Sequence, residues 1–159
     1  MASNLSVEKL FANAKIEMWD HDPGADTAVI VSPDGGTTKR VVDMRDYGAF
    51  ACVAMSSTLT GAGITKLEIV AFTDSAGSAN TTVVKDSGTV VADAVGDYVA
   101  LECTAEELAQ LSSAGSISPG LRYLAGRVTC ANSADEAVVT YVRHMPRFPA
   151  AGLTATTIA

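Results

Sequence analysis

The residues with the clearest potential for chemistry are three aspartates and a histidine near the N-terminus. Asp20, Asp22 and Asp26 lie close enough in sequence to suggest a Ca²⁺ loop, because hard cations prefer several carboxylate oxygens. They do not complete an EF-hand, since the glycine falls at Gly24 and the closing glutamate is missing. We therefore favour a solvated acidic turn over a cation site, and we expect His21 to be a surface residue rather than a general acid or base.

A second candidate pairs a thiol with an imidazole. Cys103 and His144 would act as nucleophile and base if the fold brought them together. No nucleophile signature surrounds Cys103, which lies in a strand-like segment directly before a threonine suited to cap a helix. Cys52 and Cys130 also lie in hydrophobic segments. The odd number and wide spacing of the cysteines predict buried free thiols rather than disulfides or metal ligands.

Further aspartates could supply a carboxylate pair of the kind that cleaves glycosidic bonds. Each flanks Gly, Ser or Val in a predicted turn, where Asp is favoured by hydrogen bonds to its own backbone. They are Asp74, Asp86, Asp93 and Asp97. Turn formation explains all of them, so we expect the chain not to be an enzyme and to use no cofactor or metal.

The elements that must position these residues are mainly β-strands. Segments rich in β-branched residues, separated by Gly, Asp, Asn and Ser, run through most of the chain. This pattern predicts an antiparallel β-sandwich or barrel. Because neither face of segment 47–58 is charged, that strand is predicted to be central and covered on both sides. The predicted strands are residues 15–19, 27–32, 39–44, 47–58, 64–73, 81–85, 89–92, 97–103, 121–131 and 136–144.

One or two short helices accompany the strands. Residues 5–14 predict a short helix or a docking arm. Thr104 and Glu107 fit a capping box, which predicts a helix over residues 105–114 that Gly115 ends. The chain is then divided into an N-terminal arm or helix (1–14), a single β-rich domain (15–145) and an extended C-terminal tail (146–159).

Composition narrows the classes of partner. With 159 residues, 48% hydrophobic and 18% charged, the chain can bury one core. The net charge of −7 would repel a phosphate backbone, and the closest basic set is the loose group Arg143, His144 and Arg147. We expect no direct nucleic-acid binding. The N-terminus shows no secretory signal and every apolar run is too short to span a bilayer, so we expect no membrane partner.

Several large side chains are candidates for contacts between elements or subunits. Arg122 and Arg127 flank Tyr123 in an otherwise apolar strand, which predicts an ion pair with Glu102 or Asp97, or else an intersubunit contact. Aromatic residues near the chain ends could close the core or anchor the termini on a neighbour. The predicted partner-binding residues are Leu5, Trp19, Phe148, Leu153 and Ile158.

A small acidic chain rich in Ala, Thr, Val and Gly, with the uncharged strand 49–57 and extended termini at 2–6 and 146–159, resembles virion structural proteins of tailed bacteriophages. It is most similar in character to capsid decoration (cement) proteins. The resemblance implies self-association as a trimer or ring and docking on a larger lattice such as a major capsid protein. It also implies localisation in the virion after synthesis in the bacterial host cytoplasm.

Two alternatives remain at this stage. Tail-tube, neck and head-completion proteins of phages share the same compositional traits. From another class, a carbohydrate-binding β-sandwich module would also fit an all-β chain. One Trp and four Tyr make an aromatic sugar platform the less favoured interpretation.

Overall fold

Two antiparallel sheets pack face to face in the computed structural model, which describes residues 14–25, 27–78, 82–113 and 121–146. In spatial order, sheet A contains β1 (Ala14–His21), β9 (Glu136–Pro146), β4 (Tyr47–Thr58) and β7 (Tyr98–Thr104). Sheet B contains β2 (Ala28–Ile30), β8 (Tyr123–Cys130), β5 (Ile64–Phe72) and β6 (Thr82–Asp86), and β3 (Val42–Asp43) also pairs with β8. The predicted mainly β fold is confirmed, in its sandwich form.

The strand boundaries follow the sequence pattern closely, with two exceptions. The predicted strand 39–44 shortens to the two residues of β3, because the backbone N–H of Arg40 donates to the carbonyl of Val31 instead of joining a ladder. The predicted strand 89–92 is reduced to one bridge between Ala92 and Ile64. A register shift in β5 just after Ile64 interrupts regular pairing there.

The helix α1 (Ala105–Ser113) begins at the predicted capping box. The backbone N–H of Thr104 donates to Oε2 of Glu107 at 2.8 Å, and the N–H of Glu107 donates back to Oγ1 of Thr104 at 3.2 Å. Glu107 also forms an ion pair with Lys85 of β6, which ties the helix to sheet B. The predicted helix or arm before Ala14 and the stop at Gly115 lie outside the described residues.

The core lies between the sheets and is filled by alternate residues of each strand. Phe50, Cys52 and Ala54 of β4 point inward and are fully buried, as are Val139 and Tyr141 of β9. The rings of Phe50 and Tyr141 meet edge to face at 5.0 Å. Because the hydroxyl of Tyr141 accepts the N–H of Gly126 in β8 at 2.7 Å, one hydrogen bond joins the two sheets through the core.

The outer face of sheet B is covered by the chain itself. Val70, Phe72 and Ala125 form a second small core there, with Ile30, Val41 and Tyr123 packed around it. Beside this cluster, buried Glu68 bonds Arg127 at 2.6 Å and Lys66 at 2.9 Å, and Lys66 also reaches Asp86 at 2.7 Å. Apolar packing and paired charges therefore occupy this side of the sandwich.

Sheet A has no such cover among the described residues. The predicted strand 47–58 is central, between β9 and β7, but the prediction that both of its faces are covered is wrong. Ala51 and Val53 are half-buried and Met55 is 39% exposed. These outward residues have no layer above them in the described part of the chain. Nor does that part contain a helix with the length and apolar character needed to cross a membrane.

Candidate functional site: the outer face of sheet A

The outer face of sheet A is built from the outward residues of its four strands. Cross-strand pairing aligns them in three rows, each running from β1 through β9 and β4 to β7. The first row is Ile16, Val142, Ala51 and Glu102; the second is Met18, Thr140, Val53 and Ala100; the third is Asp20, Val138, Met55 and Tyr98. Nine of these twelve residues are apolar or aromatic, so the face is unusually apolar for a solvent-facing sheet.

Two protruding side chains flank a shallow groove on this face. Met18 on β1 and Tyr98 on β7 are 65% and 69% exposed, and they stand at opposite sides of the sheet. Between them the smaller side chains of Val53 and Thr140 leave a shallow groove of about 270 Å³. The side chains that line the groove are Met18, Val53, Met55, Tyr98, Val138 and Thr140.

Charge on the face is confined to its margins. Asp20 stands at one corner, and its side chain has no hydrogen-bond or ion-pair partner among the described residues. Nε2 of His144 lies 3.0 Å from Oε1 of Glu102, so this pair crosses β4 from β9 to β7. Ala49, the residue of β4 opposite His144, is fully buried. The three rows contain no charged residue on β9 or β4, the two central strands.

The thiols and imidazoles do not form a catalytic pair. Cys103 points into the core whereas His144 points to the outer face, so the sheet separates the two groups. All three cysteines are free and buried, as predicted. Burial raises the pKa of the Cys103 thiol to about 12 and that of Cys130 to about 11, and it raises the pKa of Cys52 further. These protonated thiols are poor nucleophiles at neutral pH.

The acidic turn after β1 has a structural explanation in its described part. Oδ1 of Asp22 accepts the N–H of Gly24 at 2.7 Å, and the carbonyl of Asp22 accepts the N–H of Gly35. Gly24 and Gly35 both have a φ of 65°, and a Cβ on Gly24 would lie 2.7 Å from Cα of Gly35. In residues 14–25, 27–78, 82–113 and 121–146 no metal-binding group of His, Cys, Asp and Glu is found; Asp26 lies outside them.

His21 is buried, and the prediction of a surface histidine is wrong. β1 continues to His21 instead of ending at Trp19, and strand alternation then turns the imidazole inward beside Ala137 of β9. Nδ1 accepts the N–H of Ser32 at 3.4 Å, while Nε2 is buried without a partner among the described residues. Burial lowers the pKa of His21 from 6.5 to about 4 against the opposing effect of Asp22, so the ring is neutral at pH 7.

This buried imidazole predicts a loss of stability in mild acid. Because the unfolded chain binds the proton more tightly, the stability supplied by neutral His21 is complete above pH 6.5 and decreases as the pH falls toward 4. We expect His21 to account for about 2 kcal/mol of the decrease in the free energy of unfolding between pH 7 and 4.5. Urea unfolding across this range should show a shallower decrease for His21→Gln.

The matched control is His144→Gln, which changes the half-buried histidine on the outer face. It removes an imidazole that lies on the surface of the sheet instead of in the core, so its pH slope measures the effect of losing a histidine outside the core. Equal pH slopes for His21→Gln and the unchanged chain would contradict a buried titrating imidazole.

The arginine partners differ from the predicted ones. Arg127 pairs with Glu68 at 2.6 Å, and Arg122 pairs with Asp43 at 3.1 Å. The predicted partners Glu102 and Asp97 lie in β7 of the other sheet and in the turn before it, so strand register places them elsewhere. The ion pairs are thus within the chain, and the prediction was wrong about the carboxylates.

The loose basic group does not gather in the described structure. Arg143 points inward, donates to Oε2 of Glu17 at 2.8 Å and to the carbonyl of Asp43 at 3.0 Å, while His144 lies on the opposite face. Arg147 lies outside the described residues. The two members of the basic group that the structure describes, Arg143 and His144, are thus both paired with carboxylates.

Trp19 is placed inside the sandwich rather than on a docking surface. It packs against the core, and the guanidinium of Arg40 lies 4.4 Å from the centre of its ring. We therefore assign Trp19 to closing the core at the β1 side. The other predicted partner-binding residues, Leu5, Phe148, Leu153 and Ile158, lie outside the described residues.

The four turn aspartates that resembled a carboxylate pair are spread over separate loops. Asp74 accepts the N–H groups of Ala76 and Ser78, Asp86 accepts that of Gly88, and Asp97 accepts that of Ala94. Asp93 is exposed near the Ala92 bridge. The three hydrogen-bonded aspartates therefore perform the predicted turn role.

Sequence patterns alone do not single out one buried carboxylate, that of Asp135 in the turn between β8 and β9. Asp135 is fully buried and accepts the N–H groups of Thr60, Gly61, Gly63 and Asn132 at 2.6–3.2 Å. Burial alone would raise the pKa of Asp135, but the Thr60 and Gly61 amides hold it below its usual range. A signal was present in the Gly61-Ala62-Gly63 turn, whose amides need an acceptor.

No protein-family model matches this chain, and a search of curated proteins finds no match.

Proposed function

We propose that this protein is a structural component of a tailed-phage virion, and specifically a capsid decoration protein that self-associates and docks on a larger protein lattice. The observation that carries the proposal is the open apolar outer face of sheet A on a chain with a net charge of −7. A soluble domain rarely leaves such a face in water, and partner contact is its usual use. The phage assignment itself rests on the compositional resemblance.

The chemistry of the described residues also favours assembly over turnover. The three thiols are buried and protonated, and His21 is enclosed in the core. The outer face of sheet A offers apolar area, with charge only at its margins. Such a surface suits many weak contacts that add up around a symmetric lattice.

A carbohydrate-binding module is less well supported by this surface. Sugar platforms use exposed aromatic rings, and the outer face of sheet A presents one, Tyr98. Trp19, the single tryptophan, packs inside under Arg40. The groove is lined mainly by aliphatic and methionine side chains, which cannot hydrogen-bond sugar hydroxyls.

Binding to capsids tests the proposal directly. The purified chain should co-sediment with empty capsid shells of the phage that encodes it and should saturate at a fixed number of copies per shell. Deleting residues 148–159, which include Phe148, Leu153 and Ile158, should weaken this binding by about tenfold or more, because apolar groups gain about 25 cal/mol per Å² when a contact buries them. The melting of the truncated chain should remain cooperative.

A matched control keeps the length and removes only the apolar groups, by changing Phe148, Leu153 and Ile158 to Ser. It should weaken binding to the same degree as the deletion. Full-strength binding after deletion would mean that the tail does not attach the protein. An absence of binding by the intact chain would reject the decoration role.

A further inference from the structure

We propose that the outer face of sheet A packs against the same face of a second copy of this chain in a two-fold symmetric contact. The inference rests on the proposed function in that it names the partner of the same face. It differs in stoichiometry from the trimer or ring that the resemblance implies.

The relief of the face is complementary to itself. Met18 on β1 and Tyr98 on β7 protrude at opposite sides, whereas Ala100 on β7 is small and exposed. A two-fold axis parallel to the strands, passing between β9 and β4, lays β1 of one copy over β7 of the other in the same row. Met18 then meets Ala100 of the second copy, and the reciprocal contact forms at the other side. Aligned sheets pack in this way about 10 Å apart.

The same axis also satisfies the polar groups of the third row. Asp20 on β1 and Tyr98 on β7 share that row, so the operation brings Asp20 of one copy opposite Tyr98 of the other. Neither side chain has a hydrogen-bond partner among the described residues. The Tyr98 hydroxyl can donate to the Asp20 carboxylate, and the symmetry creates this contact twice.

The charge distribution permits a contact between identical molecules. Two chains of net charge −7 repel one another, so self-association needs a face from which the charge has been removed. The centre of this face is uncharged, and Glu102 remains paired with its own His144. The axis places Ile16, rather than a second carboxylate, opposite Glu102. By contrast, the outer face of sheet B presents the network of Lys66, Glu68, Asp86 and Arg127.

The dimensions predict a weak dimer. Four strands spaced about 4.8 Å apart and three rows about 7 Å apart cover roughly 20 Å by 20 Å. Two such faces bury about 800 Å² in total, which is below the roughly 1,200–2,000 Å² of stable interfaces. The contact should therefore have a dissociation constant on the order of 100 μM, and it would gain strength when a lattice holds many copies together.

Sedimentation equilibrium of the full chain tests this inference. Between ~10 μM and ~1 mM, the mass should rise from that of a monomer toward that of a dimer. Tyr98→Glu places a second carboxylate opposite Asp20 and should weaken association about tenfold or more. The matched control is Val91→Glu, which adds the same charge at an apolar residue that is 74% exposed and outside the face. It should change association less than about threefold.

A charge-reversal rescue tests the proposed axis. Asp20→Lys combined with Tyr98→Glu should restore dimerisation, because each new lysine then faces a glutamate of the other copy. Within one copy, β1 and β7 are the outermost of four strands, about 14 Å apart, so rescue cannot arise inside a single molecule. Circular dichroism melts verify that each variant is folded.

Several results would overturn the inference. These are a monomer at ~1 mM, a trimer, equal effects of Tyr98→Glu and Val91→Glu, or failure of the rescue. A monomeric chain that still saturates capsids would reject the two-fold contact while leaving the decoration role intact. A dimer that does not bind capsids would reject the decoration role while leaving the two-fold contact intact.

Discussion

Replacing Asp135 with alanine should lower the free energy of unfolding by about 3 kcal/mol, because it removes the buried carboxylate that accepts four backbone N–H groups at once. Thr60, Gly61 and Gly63 approach the carboxylate from the turn between β4 and β5, and Asn132 approaches from the turn between β8 and β9. One side chain therefore joins two turns, each of which connects sheet A to sheet B. Without it, these four N–H groups lose their acceptor together, and that of Gly63 is buried from water.

Two variants sharpen this test by urea unfolding. Asp135→Asn keeps one oxygen but turns an NH₂ group toward the N–H groups that Oδ2 now accepts, so it should recover only part of the loss. Glu136→Ala changes the neighbouring residue, whose carboxylate accepts one exposed bond from the Thr58 hydroxyl. It should cost less than about 1 kcal/mol. Equal costs for Asp135→Ala and Glu136→Ala would contradict the anchoring role of Asp135.

The fold class could be predicted from sequence because its signals are local. Alternating apolar residues and turn glycines define β4 at its observed limits, and the Thr104–Glu107 capping box locates the start of α1. Gly63 also behaves as its turn pattern indicates: its φ is 66°, and a Cβ there would lie 2.1 Å from the carbonyl oxygen of Ala92. The strand pattern, the capping box and the turn glycine are all visible in short segments of the chain, although the close approach of Gly63 to Ala92 is not.

The site could be predicted only in part, because it depends on which sheet faces are covered. The lack of charge in segment 47–58 predicts burial on both sides, whereas the outward side chains of β4 stay partly exposed. Sheet B received its outer layer from Val41 and from the loop whose Gly77 carbonyl binds Lys39, whereas sheet A received none from the described residues. The sequence pattern does not state which sheet a loop will cover.

Errors at single residues came from register. Extending β1 by two residues turned His21 inward, and pairing β5 with β8 placed Glu68 opposite Arg127. A strand pattern specifies which residues share a face of one strand. It does not specify which strand is the neighbour, and ion-pair partners are chosen by that neighbour.

The core where β4, β8 and β9 meet should be as sensitive to added volume as the two turns are to the loss of Asp135. A Cβ on Gly126 would lie 2.7 Å from Sγ of Cys52, 3.3 Å from Cγ2 of Val31 and 3.4 Å from Cε1 of Tyr141. Cys52, Val31 and Tyr141 are fully buried and have no free space to enter. Gly126→Ala should therefore lower the free energy of unfolding by about 3 kcal/mol, as measured by urea unfolding.

Gly88→Ala separates this steric effect from the loss of glycine flexibility. Gly88 has a φ of 67° but no atom within 4 Å of its added Cβ, so only backbone strain applies and the cost should be about 1 kcal/mol. Gly126, by contrast, does not have a positive φ. Comparable costs at the two glycines would contradict a packing limit at Gly126.

The decisive variant combines Gly126→Ala with Cys52→Ala. Cys52→Ala alone leaves a small cavity and should cost about 1 kcal/mol. In the double variant the new methyl group of residue 126 enters the space that the sulfur has left, so the pair should be more stable than Gly126→Ala alone, with a coupling of at least about 1 kcal/mol. Simple additivity would mean that the backbone of β8 moves to admit the methyl group. Recovery of stability in the double variant would instead show that the Cys52 sulfur sets the distance between β8 and β4. The hydrogen bond between Gly126 and Tyr141 fixes the same spacing.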